Sequence, residues 1–238
     1  MSSSVPFASA KQQAIVRLAA RALGRAHLAH AYGHCSLRVD ADYFLVCAPR
    51  PMGLLTEQDS GTVVPVRGPL PEGVLGEVRI HQEIYQRRPD VRGIIRSMPR
   101  DVMTLSSASR VPSARHGMGC YFHQGVALWD DVQLIRSTEQ AIGVAEALGP
   151  RVAIAMKGNG AVVAAESLQQ ALVLTWYLED AARIELDMLR AGLSQTPAIS
   201  QEAAQNRATG SGRIFERMWE YLCHADPEFN DSFLDFES

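Results

Sequence analysis

Glu77 and His81 stand four residues apart in a stretch of helical character, GEVRIHQEIYQ, so a carboxylate and an imidazole share one helix face, one turn apart. Two readings stand for the pair. Either His81 orients Glu77 for chemistry, or they are a first-turn carboxylate favoured by the helix dipole and a structural histidine. Arg88-Pro89-Asp90 then stops the helix, because proline has no N–H and biases the residue before it away from helical angles. A short strand, 91–95, follows, and then a turn, Arg96-Ser97-Met98-Pro99. Chemistry, if the chain performs any, belongs at that turn. A guanidinium is permanently charged, so Arg96, with Arg100 beside it, is either the counter-ion of a buried acid or a clamp for a carboxylate or oxyanion. His116, Tyr121 and His123 form a second group in SARHGMGCYFHQG, whose glycines and absent periodicity mark a loop longer than most connections. Loops of that length often carry function.

The elements that must position these groups are legible from pattern. Ser9 with Gln12 makes a capping box for a helix running to about residue 31, with Ile15, Leu18, Ala19, Ala22 and Ala26 in one apolar stripe and Gly33 ending it. Residues 35–39 and 43–48, separated by Asp40-Ala41-Asp42, read as a hairpin, and 62–66 as a strand inside a Pro- and Gly-rich connection. After Pro99 come a short helix (101–108), the long loop, and a strand (126–129). Ser137 with Gln140 then caps a helix ending near Gly149-Pro150. Strands 152–156 and 161–165 flank a tight turn, Lys157-Gly158-Asn159-Gly160. Ser167 with Gln170 opens the longest helix, which Gly192 stops. A further helix spans 214–223, and the acidic tail spaces Phe229, Phe233 and Phe236 for docking on the same domain or a neighbouring subunit. Strands and helices mix with neither a repeat nor a linker of disordered composition, so one α/β domain covers 1–238.

Composition narrows the partners. A net charge of −3 makes no electrostatic case for nucleic acid or an anionic membrane. Cys35, Cys47, Cys120 and Cys223 lie far apart with no CxxC pair, which suggests reduced, buried thiols rather than a disulfide framework or zinc ribbon. The N-terminal MSSSVPFASAKQQ lacks a basic segment followed by an apolar one, and no run approaches the length of a membrane span. The expectation is a soluble, cytoplasmic protein with a small-molecule partner.

Several motifs follow one another in an order similar to the class II aldolase/adducin family. They are Gly33-His34-Cys35-Ser36-Leu37-Arg38; the strand DYFLVCA before Pro49-Arg50-Pro51-Met52-Gly53; LTEQD at 55–59; Ile84-Tyr85 with Arg88-Pro89-Asp90-Val91; and the strand, turn and long helix from 153 to 178, with Glu179, Ala181 and Ala182. The resemblance covers about residues 14–192, leaving 193–238 as a C-terminal helix and tail. It implies a three-layer α/β/α fold with a central, largely antiparallel sheet, assembled as a homotetramer with active sites between subunits.

The resemblance also implies a site. Glu77 is the general acid or base, His34 lies near substrate, and a Tyr crosses the subunit interface, for which Tyr121 is the candidate. The family's divalent metal, zinc in type, is a Lewis acid held by three histidines. Here those positions are Arg96, Met98 and Asn159, which are poor or impossible ligands, so no metal cofactor is expected. The pair that binds a sugar phosphate is Leu75-Gly76, which argues against a phosphorylated sugar. The expected catalytic set is thus Glu77, Arg96, His34 and Tyr121, with His81, Arg100, Met98, Asn159 and His123 around a small anionic substrate. Three functions remain open: a metal-independent lyase (aldolase, decarboxylase or isomerase type) acting on a small carbonyl or carboxylate compound; a non-catalytic, adducin-like assembly module; and a lyase whose metal has moved to His34, His81, His116 and His123.

Overall fold

The computed structural model describes residues 5–236; the outer ends of the N-terminal stretch and acidic tail, residues 1–4 and 237–238, lie outside it. Its strands are β1 (His34–Arg38), β2 (Tyr43–Val46), β3 (Thr62–Pro65), β4 (Gly93–Ser97), β5 (Ala127–Trp129), β6 (Ala153–Met156) and β7 (Ala161–Ala165). Among the described residues these seven form one sheet in the order β3-β2-β1-β4-β7-β6-β5. Every pairing is antiparallel except β5 with β6. Its helices are α1 (Ala10–Arg25), α2 (Arg79–Arg87), α3 (Arg100–Ser107), α4 (Thr138–Leu148), α5 (Leu168–Arg190), α6 (Gln201–Arg207) and α7 (Ile214–Cys223).

Side chains alternate across a strand, so each strand feeds two cores. Cys35, Leu45, Ile95 and Val163 face one way and pack with Leu18 of α1, Val102 of α3, Leu172 of α5 and Trp219 of α7. Phe44, Ile94, Ile154 and Val162 face the other way, against Ile80 and Ile84 of α2 and Val144 of α4. These are the three layers expected. The four cysteines are free and buried.

Both predicted capping boxes are present, at Ser9/Gln12 and Ser137/Gln140. Helix α1 is shorter than its sequence pattern. It stops at Arg25, His27 takes a left-handed φ of 57°, and the Leu28 carbonyl accepts from Met98 N at 2.8 Å. A tertiary backbone pairing there overrides helix propensity. The strand expected at 91–95 begins at Gly93, and Glu77 lies in a 3₁₀ turn, Gly76–Val78, that leads into α2. The loop at 113–125 carries a 3₁₀ turn, Gly119–Phe122, and is tied to α5 by Arg115 on Glu185 and His116 on Asp180. The tail forms a 3₁₀ turn, Asp231–Leu234, with Phe233 buried against its own chain and Phe229 and Phe236 packed beside it.

Candidate functional site

The site grows from one face of β1. His34, Ser36 and Arg38 alternate onto the α2 side of the sheet, and all three are buried. Each grips α2 or its end. His34 Nδ1 lies 2.8 Å from His81 Nε2, and Ser36 Oγ lies 2.6 Å from His81 Nδ1 and 3.0 Å from the Tyr85 hydroxyl. Arg38 donates to the carbonyls of Tyr85, Arg88 and Val91, with its guanidinium 4.5 Å from the centre of the Tyr85 ring. A cation on the last carbonyls of a helix favours the negative end of its dipole.

Arg96 stands opposite His34 in the β1–β4 register and therefore shares its face. Two glycines let the backbone close around this pair. Gly33 sits at φ 129°, where a Cβ would come within 2.8 Å of the Arg96 carbonyl oxygen, and Gly160 at φ 83°, where one would come within 2.0 Å of Ser97 O. The second contact brings the Lys157–Gly160 turn against the Met98 turn. Glu179 of α5 fixes the latter from behind, accepting from Asp101 N and Val102 N at 2.9–3.0 Å, because Pro99 offers α3 no side-chain cap.

These elements surround a cavity of about 790 Å³. His34, Glu77, Arg96, Met98 and Asn159 line it, so five of the residues singled out in the sequence meet there. The Arg96 side chain is 2% exposed. It donates to Asn159 Oδ1 at 3.0 Å and to Ser97 O at 3.3 Å, touches Met98 Sδ, and lies 3.8 Å from Glu77 Oε2. Burial lowers its pKa, and the Glu77 charge works against that fall; the group stays cationic. Three polar atoms at the cavity are buried without a partner: Arg96 Nε, Glu77 Oε1 and His34 Nε2. Buried polar atoms are normally paired, so this concentration makes the cavity the candidate site.

The other residues singled out in the sequence lie elsewhere in this chain. His81 is fully buried and serves His34 and Ser36 rather than bonding to Glu77. Arg100 is exposed at the start of α3 and does not line the cavity. Tyr121 and His123 line a different cavity, of about 1150 Å³, where Tyr121 donates to Thr209 O at 2.7 Å. His116 pairs with Asp180 at 2.9 Å. Of the histidines proposed for a relocated metal, His34 and His81 are in contact but His116 and His123 lie elsewhere, and no group of three or more His, Cys, Asp or Glu among the described residues is arranged to hold an ion. The three family ligand positions do not fit a metal either, since Asn159 and Met98 cradle the Arg96 guanidinium between them. Sequence reading missed Arg50, Arg136 and Tyr32 on the cavity wall. Arg50 is paired with Asp59 at 2.6 Å, whereas the exposed Arg136 has no ion pair among the described residues.

No helix among the described residues is long and apolar enough to cross a membrane. The chain matches the Class II Aldolase and Adducin N-terminal domain family over residues 13–186. It is similar to 3,4-dihydroxyphthalate decarboxylase of Arthrobacter keyseri, 28% identical over 209 residues that span 79% of this chain and 82% of that one. The enzyme of the same name from Terrabacter sp. (strain DBF63) is 26% identical over 200 residues, 76% of this chain and 82% of that one. Among solved structures, L-fuculose-1-phosphate aldolase from Thermus thermophilus superposes with a TM-score of 0.66 at 28% identity, covering 80% of this chain and all of that one. An aldolase II superfamily protein from Pseudomonas syringae gives 0.75 at 20% identity, covering 90% and 91%, which speaks to the fold alone.

Proposed function

Because the chain belongs to the class II aldolase and adducin family, we propose that it is a lyase of the decarboxylase type acting on a small carboxylate-bearing molecule, with Arg96 doing the electrostatic work given to a metal elsewhere in the family. The observation that carries this reading is the Arg96 guanidinium: out of water, facing an open cavity, and offered no carboxylate closer than 3.8 Å. An anionic group of the ligand completes its coordination.

Arg96 stabilises charge only where charge persists or develops. Loss of CO2 breaks a C–C bond and leaves the electron pair on carbon, in conjugation with an acceptor that becomes an oxyanion. Arg96 speeds the step if it holds that oxygen, or a carboxylate that stays, and slows it if it holds the departing group. Glu77, whose Oε1 is unpaired, takes a proton from solvent through the open cavity and delivers it to the carbon that CO2 has left. Met98 lines the cavity without filling it, which supports a ligand site over an assembly surface. The similarity to two decarboxylases supports the reaction type, and family membership makes a homo-oligomer, tetrameric by resemblance, the assembly to look for by light scattering.

The test is CO2 release from a panel of hydroxylated aromatic and aliphatic carboxylates by wild type and Arg96→Met, with calorimetric binding alongside. Release by wild type that Arg96→Met abolishes supports the reading. Binding without turnover of any carboxylate would favour a non-catalytic role, and release undiminished in Arg96→Met would remove Arg96 from the chemistry.

A further inference from the structure

We infer that His34 meets the ligand with an unprotonated Nε2, so that the site demands a hydrogen-bond donor, an O–H or N–H, beside the anion held by Arg96; His81, Ser36 and Tyr85 are positioning residues that fix this tautomer from the buried side. The chain of contacts runs His34 Nδ1, His81 Nε2 (2.8 Å), His81 Nδ1, Ser36 Oγ (2.6 Å), Tyr85 hydroxyl (3.0 Å), Ser36 carbonyl (3.2 Å). Burial, together with Arg96, holds the His81 pKa down to about 3, and burial, His81 and Arg96 hold that of His34 well below its ordinary value. Both rings are therefore neutral, each with one N–H and one lone pair. In such a chain all the hydrogens point the same way.

One direction closes. His34 Nδ1–H donates to His81 Nε2, His81 Nδ1–H to Ser36 Oγ, Ser36 to the Tyr85 oxygen, and Tyr85 to the Ser36 carbonyl, so every hydrogen has an acceptor and His34 Nε2 keeps its lone pair. The reverse direction leaves the Nε2–H of His34 buried with no acceptor, since that atom has no partner in the chain. An orphaned donor is the rarer fault in proteins. It would also point the positive end of an N–H dipole into the field of Arg96, the cross-strand neighbour of His34. The lone pair is the better companion of a guanidinium.

A site built around an acceptor rejects a ligand whose hydroxyl has been capped, because its buried acceptor is then left unpaired. The use of this lone pair in selecting substrates rests on the carboxylate reading above; the tautomer itself does not. Long-range 15N–1H spectra of histidine-labelled protein at neutral pH, assigned with His34→Gln, decide the tautomer directly. Expected is an unprotonated Nε2 in both His34 and His81, and a shift of His34 toward the Nε2–H form in Ser36→Ala, with a smaller shift in Tyr85→Phe. An Nε2–H His34 in wild type overturns the inference. Unchanged tautomers in both variants overturn the positioning role, and Tyr85→Phe together with wild type decides if Ser36→Ala does not fold. Titration with 3,4-dihydroxybenzoate and 3,4-dimethoxybenzoate adds the selectivity: at least about tenfold tighter binding of the hydroxylated probe, lost in His34→Gln. Equal binding of the two overturns the donor requirement, whereas binding of neither defeats the carboxylate reading and leaves the tautomer to the spectra.

Discussion

Arg21 and Arg96 are both almost out of water, and they are treated in opposite ways. Arg21 of α1 meets Asp226 through two bonds of 2.6–2.7 Å and Glu228 at 2.7 Å, with Arg17 and Arg25, one turn to either side, completing the cluster on the same two carboxylates. Arg96 of β4 has an amide oxygen, a carbonyl and a carboxylate 3.8 Å away. The chain itself supplies the counter-charge in the first case, so the cluster ties the C-terminal segment to α1. In the second it withholds it. A buried cation left short of anions beside an open cavity is poor architecture and good ligand chemistry.

The largest expected effect breaks the satisfied cluster. Asp226→Ala leaves Arg21 and Arg25 without the carboxylate they share and lowers stability by about 3–5 kcal/mol, read as a fall in the urea midpoint at constant m. Arg96→Met inverts this pattern: ligand affinity falls about 100- to 1000-fold by calorimetry while the urea midpoint holds or rises, because a costly buried charge is gone. A fall in the midpoint comparable to that of Asp226→Ala would mean the two sites are alike and the contrast is lost. A smaller effect is set by pH. The Arg17 hydrogen bond, helped by Arg21 and opposed by burial, holds Glu228 below its ordinary 4.5. Burial pushes Asp226 up, but Arg21 and Arg25 together leave it below its ordinary value. Both carboxylates therefore take up protons less readily folded than unfolded, so their contribution is complete above about pH 4.5 and is withdrawn as pH falls through their lowered values. Glu228→Gln flattens that acid limb in urea titrations repeated between pH 5 and 3, and an unchanged limb would mean the cluster does not respond to pH as a unit. Smallest is Arg136→Ala on the cavity rim, where solvent screens the charge: a severalfold rise in KM that vanishes at high salt, with no change in stability.

What the sequence discloses here depends on how local the cause is. The capping boxes, the β6–β7 turn and the β1–β2 hairpin are set by neighbours in the chain, and each was legible. The gathering of His34, Glu77, Arg96, Met98 and Asn159 around one cavity followed from resemblance, since their separations in sequence carry no geometry. Arg17, Arg21 and Arg25 lay in plain view on one face of α1, but their partners are more than two hundred residues away. Helix α6 escaped because seven residues, only Ala204 of them buried, give no periodic stripe. The position of Tyr121 relative to this chain's own cavity was not legible, because the loop is anchored through Arg115 and His116 on α5, a contact no pattern announces.

The grip of β1 on α2 also acts as a gauge. Two strand residues advance about 6.7 Å and four helical residues about 6.0 Å, so His34, Ser36 and Arg38 keep step with His81, Tyr85 and the helix end. Slipping the strand by one residue would present Cys35 and Leu37 to α2 and leave its last carbonyls and both histidines without partners. The distance from cavity to helix end is thereby measured out in side chains.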